Sequence, residues 1–282
     1  MSAPAAAPGP GGTLVLRVLP TALTGGLSGV RRGRLLIERN LRVTLRAWYA
    51  VATGVLEPLF YLLSIGVGIG HLVGRLPGPH GTTIAYATYA APALLASASM
   101  NGAVYEATMN VFFKLKFAKT YDAVLATPLG PVSVAAGEIG WAVLRASTYA
   151  VAFLAVMAAL GDVASWWVLA ALPAAVLLAA AFASFGMACT TFMRTWADFD
   201  LVQLAILPLF LFSTTFYPLG TYPRWLQLVV ECTPLFHGIT LTRSLALGAP
   251  SWALLGHAAY LAAMAALGAT VAGRRIKRLL LS

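Results

Sequence analysis

Long apolar runs separated by short polar segments dominate this chain. Six runs come close to or exceed the roughly 20 mostly apolar residues that a hydrocarbon core requires, at approximately 47–70, 84–108, 132–159, 165–190, 200–217 and 251–272. They lack the period-two alternation of barrel strands, and isolated strands cannot satisfy their backbone in lipid. The pattern therefore predicts an all-α polytopic membrane protein with six transmembrane helices.

Composition and charge support this class and orient the spans. Hydrophobic residues make up 60% of the 282 residues, charged residues only 10%, and the net charge is +10. The basic residues concentrate before residue 47, at 114–119 and at 274–278. Positive charge favours the cytosolic side, so both termini are predicted to be cytosolic. The charge is explained by topology, and no nucleic-acid partner is expected.

The two ends of the chain differ from the membrane domain, which is predicted to cover 26–272. Residues 1–25 open with the low-complexity stretch MSAPAAAPGPGG and are expected to be disordered. They lack the basic and apolar regions of a cleaved signal peptide. Residues 273–282 are predicted to form a basic cytosolic tail.

The segment 26–46 is charged but strongly patterned. On a helical wheel Arg39 and Arg42 share one face, whereas Leu36, Ile37 and Leu41 lie on the other. This is typical of an amphipathic helix in the headgroup plane, with its arginines toward anionic lipid or a cytosolic partner. The alternative is a simple positive-inside anchor for the first span.

A short basic and aromatic stretch, VFFKLKFAKTYDAVLATPL, follows the second predicted span. We expect a cytosolic helix over 110–127, ended by Pro128 and Gly130. Phe113, Phe117, Tyr121 and Val124 form one apolar stripe at helical spacing. The stretch is either a span end anchored by lysines or a contact for a partner, with 117–125 as the docking surface.

Polar residues inside the predicted spans are candidates for function. An ionised Glu57 near mid-span would cost about 2.5–3.5 kcal/mol on insertion scales, so it must face protein or water. Asn101 lies in the second span, and Glu138 and Arg145 lie two turns apart on one face of the third. Each charge either lines a polar path or is neutralised within the bundle.

The segment 216–248 follows the fifth predicted span and is apolar despite its prolines. A solvated loop of this length would be more polar. We therefore expect external re-entrant or interfacial helices here, packed on the outer end of the bundle.

Enzymatic motifs are missing from the sequence. It contains no phosphate-binding G-x-x-x-x-G-K-[ST] loop, no H-E-x-x-H, no G-x-S-x-G and no Cys/His ligand set. We expect no catalytic residue, no metal site and no cofactor bound by this chain. Energy for transport against a gradient would have to come from elsewhere.

Two stretches resemble a known family. KTYDAVLATPLGPVSVAAGEI (119–139) resembles the segment after the second span in permease subunits of type-2 ABC exporters. FLFSTTFYPLGTYPRWLQLVVECTPLFHGITLTRSLALG (210–248) resembles the branch of nodulation lipo-oligosaccharide exporters and daunorubicin-resistance permeases. The likeness runs from about 30 to 272, with Lys119 and Asp122 where the family more often has arginine and glutamate.

The resemblance implies a permease dimer, formed by two copies or by two paralogues, that works with two ATP-binding-cassette subunits. Those partners, not this chain, would bind ATP and Mg²⁺. The implied setting is the cytoplasmic membrane of a bacterium, and the implied cargo is amphipathic. Residues expected to couple to the ATPase are Arg39, Arg42, Phe117, Lys119, Thr120, Tyr121, Asp122 and Leu125. Residues expected along the cargo path or gate are Glu57, Asn101, Glu138, Arg145, Phe216, Tyr217, His237 and Arg243.

Two other classes of function stay open at this point. An ion-coupled secondary transporter would use Glu57, Glu106, Glu138 and Arg145 as a relay. An intramembrane enzyme would need a convergent polar constellation, which these residues do not form in sequence. An ATP-binding-cassette gene beside this one, or a co-purifying ATPase, would separate the exporter from the secondary transporter.

Overall fold

The structure is a computed structural model that describes residues 27–46, 56 and 60–281. Much of the first predicted span, including Glu57, and the predicted disordered tail lie outside these residues. The helices are α1 (Leu27–Arg46), α2 (60–73), α3 (Tyr86–Tyr105), α4 (Val111–Lys116), α5 (Thr120–Leu125), α6 (Pro131–Leu160), α7 (Val168–Thr190), α8 (Asp198–Phe212), α9 (Arg224–Glu231), α10 (Pro234–Ala246) and α11 (Leu254–Leu281). A π-helical turn, Glu106–Asn110, joins α3 to α4 without a break.

Three of the described helices, α6, α7 and α11, are long and apolar enough to cross a membrane by length and composition. The third predicted span, 132–159, agrees with α6 because Pro131 opens that helix and Gly161, with φ of 79°, closes it. The predicted span 200–217 is the shorter helix α8, which ends at Phe212.

Small residues set the spacing between the bundle helices. Alanines without exposed surface line the contacts among α3, α6 and α7, for example Ala96, Ala142 and Ala179. Gly268 of α11 lies so close to α7 that a Cβ there would be 2.7 Å from the Phe185 backbone nitrogen. Close helix approach through small residues is the usual way in which membrane helices associate.

The bundle has two ends, which we name by their connecting segments: the elbow, which is the turn between α4 and α5, and the β-hairpin between α2 and α3. At the elbow end, α4 and α5 meet, and the Thr190 hydroxyl donates to the Ala107 carbonyl at 3.0 Å. At the hairpin end, the Tyr86 hydroxyl donates to the Phe216 carbonyl at 3.1 Å. Helices α3, α6, α7, α8 and α11 run alternately between these ends.

The all-α prediction was wrong in one detail, because β1 (Arg75–Pro77) and β2 (Thr83–Ala85) form an antiparallel hairpin. Its connection contains Pro79 and Gly81, and Gly81 has φ of 73°. Proline and a left-handed glycine favour a tight reversal at this point.

The predicted basic tail 273–282 is, as far as Leu281, part of the same helix as the last predicted span. Helix α11 continues through it to Leu281. Ile276, in the same part of the helix, is buried in the core of the bundle. Packing against the bundle therefore keeps this basic segment helical.

The predicted helix over 110–127 is two helices. Helix α4 ends where the Phe117 and Ala118 N–H groups both donate to the Phe113 carbonyl. Lys119 then takes left-handed backbone angles, with φ of 45° and ψ of 32°, and starts α5. This turn, which we call the elbow, moves Phe113 and Phe117 to the exposed surface and Tyr121 into the core, so the predicted apolar stripe does not form.

Helix α1 packs tightly on α6. A Cβ at Gly137 would lie 2.8 Å from the Gly33 carbonyl oxygen, so the two backbones nearly touch. Leu36 is buried in this contact, whereas Leu41 and Leu45 are exposed. The apolar residues predicted to share one face therefore do not all contact the protein. The side of α1 that packs on α6 contains Gly33 and Leu36.

Candidate functional site

The elbow presents an aromatic surface. The Phe117 ring lies 5.8 Å from the Phe113 ring and 6.0 Å from the Trp196 ring, measured between centroids. Phe112 packs edge-on against Phe199 at 5.2 Å beneath them. The elbow therefore rests on the connection between α7 and α8.

A buried polar cluster lies directly behind the elbow, and we call Asn40, Lys114, Tyr121 and Glu138 the elbow node. The Lys114 ammonium donates to Glu138 Oε2 at 2.7 Å, and the Asn40 amide donates to the same oxygen at 3.2 Å. Lys114 also reaches Asn40 Oδ1 at 3.4 Å. Only 1% of the Glu138 surface is exposed, so this carboxylate depends on its partners from α1 and α4.

Tyr121 brings α5 to this node. Its side chain is 1% exposed, and its hydroxyl is buried without a hydrogen-bond partner among the described residues. Burial raises the pKa of Tyr121 well above its usual value, and the neighbouring Glu138 carboxylate raises it further. The hydroxyl therefore stays protonated and keeps its proton available for donation.

The predicted coupling residues lie at one end of the bundle but not on one surface. Phe117, Lys119 and Asp122 are exposed, Thr120 and Leu125 are half-buried, and Tyr121 is buried. Tyr121 thus anchors α5 and does not belong to an exposed docking surface in this conformation.

The arginine face of α1 lies at the same end. Arg39 and Arg42 are exposed and line a shallow concavity of ≈ 220 Å³ with Val43 and Arg46. Arg32 donates to the Pro128 carbonyl at 3.2 Å, which joins α1 to the turn after α5. The two segments that sequence predicted to contact a partner are therefore physically connected.

A second buried ion pair lies deeper in the bundle. Arg145 donates to Glu106 Oε2 at 2.5 Å, and the Trp141 indole donates to Glu106 Oε1 at 2.8 Å. The Asn110 amide also donates to Glu106, at 2.7 Å across the π-helical turn. Glu138 and Arg145 thus each pair with a residue of the α3–α4 helix and not with each other. Both charges are neutralised within the bundle, which was one of the two predicted outcomes.

At the hairpin end, Arg243 binds backbone carbonyls. It donates to Tyr89 at 3.1 Å, to Thr214 at 2.8 Å and to Thr215 at 3.3 Å. Its guanidinium also lies 4.0 Å from the centre of the Tyr89 ring. Arg243 therefore fixes the turn after α8, where Thr214 has φ of 66°.

The other predicted gate residues surround that turn or lie beyond it. Phe216 packs edge-on against Phe210 at 5.3 Å, and Tyr217 is exposed. His237 Nδ1 lies 2.6 Å from His257 Nδ1, and the His237 ring stacks on Tyr260 at 4.0 Å. The exposed Asn101 lies in the other half of the bundle, so the predicted path residues that the structure describes, which exclude Glu57, are not brought to one site.

Helix α10 packs against α7 and α3 within the bundle, and the residue after α9 is hydrogen-bonded to α11. A Cβ at Gly238 would lie 2.5 Å from Cδ1 of Leu178, which is near the middle of α7. The Thr242 hydroxyl donates to the Pro92 carbonyl at 3.0 Å, and the Tyr260 hydroxyl donates to the Cys232 carbonyl at 2.9 Å.

The polar side chains at these sites hold helices and turns in position. Within the part of the chain that the structure describes, no group of three or more His, Cys, Asp or Glu side chains could hold a metal ion. The ion pairs join helices, and the elbow offers an exposed surface connected to them.

Sequence comparisons with known proteins match most of this chain. The family described as ABC-2 type transporter matches residues 32–247. Nodulation protein J of Rhizobium leguminosarum bv. trifolii is 33% identical over 233 residues, which cover 82% of this chain and 86% of the relative. Nodulation protein J of Rhizobium meliloti (strain 1021) is 30% identical over 210 residues, covering 72% and 78% of the two chains.

Proposed function

The chain belongs to the ABC-2 type transporter family, in the nodulation branch that its motifs predicted, and we propose that it is the membrane-spanning subunit of an ATP-driven exporter. The match over 32–247 carries this proposal. It covers α1, the elbow and the segment after α8. The chain supplies the membrane path, and separate ATP-binding-cassette subunits supply ATP hydrolysis with Mg²⁺.

The elbow and the arginine face of α1 are the proposed contact for the ATPase. Lys119 and Asp122 are exposed on the elbow, and Arg39 and Arg42 are exposed on α1. The contact between Arg32 and Pro128 joins the two surfaces, so one partner could engage both. Behind them, the Lys114–Glu138 pair would pass a displacement of the elbow to α6.

The proposed assembly contains two permease chains, either identical or paralogous, and two ATPase subunits. It lies in the cytoplasmic membrane of a bacterium with both termini in the cytosol, so the elbow end is cytosolic and the hairpin end external. The proposed cargo is amphipathic: a lipo-oligosaccharide, a glycolipid or a hydrophobic drug.

Helices α9 and α10 are the proposed re-entrant pair that closes the external exit. The contacts of Gly238 with Leu178 and of Thr242 with Pro92 support this, because they place α10 within the depth of the bundle. The Arg243 contacts would hold the turn that leads into this pair.

The ion-coupled alternative is less well supported by the geometry. A proton relay needs carboxyl groups that can exchange protons along a path. Glu106 and Glu138 are instead each held by a cation and an amide or indole donor.

Co-purification with the ATPase tests the proposal. The wild-type chain, co-expressed with a candidate ATP-binding-cassette partner from the same organism, should form a complex whose ATPase activity responds to cargo. Asp122→Lys should weaken that complex, whereas Asp200→Lys, at an exposed residue on α8, should not. Transport by the purified chain that needs only an ion gradient, without any ATPase, would overturn the proposal.

A further inference from the structure

Two histidines from different helices meet in the hairpin half of the bundle. His237 Nδ1 lies 2.6 Å from His257 Nδ1, and each residue is in the first turn of its helix, α10 or α11. The His237 ring stacks on Tyr260, and the Phe236 ring lies edge-on to both imidazoles. Both histidines are half-buried, so protons from solvent can reach them. The pair is therefore a direct and accessible contact between α10 and α11.

A hydrogen bond between two Nδ1 atoms limits how many protons the pair can carry. One ring donates an N–H and the other accepts with a lone pair, but a ring protonated on both nitrogens has no lone pair left. The pair can therefore carry no charge or one charge. A second proton removes the bond and places two positive charges in contact. Positive charge is also disfavoured in the first turn of a helix, where the helix dipole is itself positive.

The longer helices packed around the pair bring no opposite charge to it. Helices α3 and α7 contain no Asp, Glu, Lys, Arg or His, and their titratable side chains are three tyrosines and one cysteine. The two charged residues of α6 form the ion pairs of the elbow half. The basic residues of α11 lie at its other end.

The nearer polar groups do not neutralise the pair either. The Tyr260 hydroxyl donates to the Cys232 carbonyl, and Arg243 of α10 is bound to carbonyls of the hairpin half. From α9, Arg224 and Glu231 form no hydrogen bond or ion pair with either histidine in the part of the chain that the structure describes. A second positive charge on the two rings would therefore be met by no bonded carboxylate.

We propose that His237 and His257 form a pH-sensitive clasp, which holds α10 to α11 while at least one imidazole is neutral and releases it when both are protonated. Histidine ordinarily titrates near pH 6.5, so release is expected between about pH 6.5 and 5. The clasp itself depends only on these two side chains. Its consequence, a looser exit helix α10 in acidic surroundings, rests on the proposed function.

Hydrogen exchange of the α10 amides tests the clasp on the purified full chain in lipid nanodiscs. The exchange is measured by mass spectrometry at pH 7.5 and pH 5, and is corrected for the intrinsic effect of pH on amide exchange. The wild type should exchange about tenfold faster at pH 5, because a hydrogen bond is lost and two charges repel each other. No such rise would overturn the inference.

His257→Asn is the sharpest variant, since an asparagine amide can occupy the position of Nδ1 and bond His237 whether that ring is neutral or charged. The corrected exchange of α10 should then be equal at the two pH values. His237→Asn should remove the pH dependence in the same way from the other helix. His71→Asn, at an exposed histidine of α2, is the matched control and should keep the rise of the wild type.

A full rise retained in either variant of the pair would contradict the clasp, because one histidine alone would then account for it. The measurement contains neither ATPase nor cargo. Its failure would therefore leave the proposed function unaffected, whereas failure of the chain to assemble with an ATPase would leave the clasp unaffected.

Discussion

The two halves of the bundle are held by opposite kinds of polar contact. In the elbow half, side chains pair with side chains: Glu138 with Lys114, and Glu106 with Arg145. In the hairpin half, Arg243 binds the backbone carbonyls of Tyr89, Thr214 and Thr215. Burying a charged group is costly in both halves. Its hydrogen-bond partners are side-chain atoms in the elbow half and backbone carbonyl oxygens in the hairpin half.

This difference separates contacts that can change from contacts that fix a shape. A carboxylate has two oxygens and can accept from a new donor when a helix moves. Backbone carbonyls can move only if the backbone conformation changes. Because Arg243 is bound to three of them, it stabilises the conformation of the turn after α8. The elbow half is therefore suited to transmit movement, and the hairpin half to keep the turn after α8 in one form.

The largest expected effect comes from breaking the deeper ion pair. Arg145→Met leaves Glu106 buried beside Trp141 without its cation. Removing one partner of a buried pair typically costs about 3–5 kcal/mol. We expect a free energy of unfolding in detergent lower by that amount, measured by denaturant titration.

The double variant Arg145→Met/Glu106→Gln is the matched control for this prediction. It removes the unpaired charge, and replacement of a whole buried pair is often close to neutral. Most of the lost stability should therefore return. If the double variant is as unstable as the single one, the loss arises from packing and not from charge.

Arg243→Met should have the next largest effect, about 3 kcal/mol, because each hydrogen bond from a charged donor contributes about 1.5–3 kcal/mol and such losses are not additive. Here no second side-chain substitution can restore stability, since the partners are backbone carbonyls. Arg243→Lys should recover only part of the loss, because one ammonium cannot reproduce the planar fork of guanidinium donors. Thermal unfolding in detergent checks both variants, and full recovery with lysine would contradict the backbone-holding role.

The sequence predicted a helix accurately where a proline or a glycine marks its ends. The bounds of α6 follow from Pro131 and Gly161, and the predicted family is confirmed by the match over 32–247. The break at Lys119 could not be predicted in this way. Neither glycine nor proline occurs there, and the left-handed lysine accompanies the burial of Tyr121, a tertiary contact that local sequence does not mark.

Within the candidate site, the sequence identified charges but not their partners. Glu138 and Arg145 stand out because charges are rare inside spans. Their partners Lys114 and Glu106 come from another helix, and only the packing of that helix on α6 brings them together. The Asn40 contact depends on the close approach of α1 to α6, for which a glycine in each helix was the available signal.

Two glycines of one helix test whether close backbone approach holds the bundle. In α11, a Cβ at Gly268 would lie 2.7 Å from the backbone of α7, whereas a Cβ at Gly273 would meet nothing within 4 Å. Gly268→Ala should cost about 1–3 kcal/mol through overpacking. Gly273→Ala should be neutral or stabilise by up to about 1 kcal/mol through helix propensity. Equal thermal stability of the two variants would contradict the contact between α7 and α11.

The smallest expected effect is at an exposed carboxylate near the elbow. Asp198 accepts from the backbone N–H groups of Arg194 and Thr195, and these bonds lower the pKa of Asp198 below its usual value. A lowered pKa stabilises the fold above the pKa of the unfolded chain, and the contribution is lost as pH falls through the folded value. Asp198→Asn keeps an accepting oxygen but removes the charge. Its thermal midpoint should therefore lie slightly below that of the wild type at pH 7, and the difference should shrink as pH falls below about 4.

Asp200→Asn, at an exposed aspartate of the same helix, is the matched control for Asp198→Asn. A loss at Asp198 as large as that of Arg145→Met would show that burial does not decide which charges hold this bundle together.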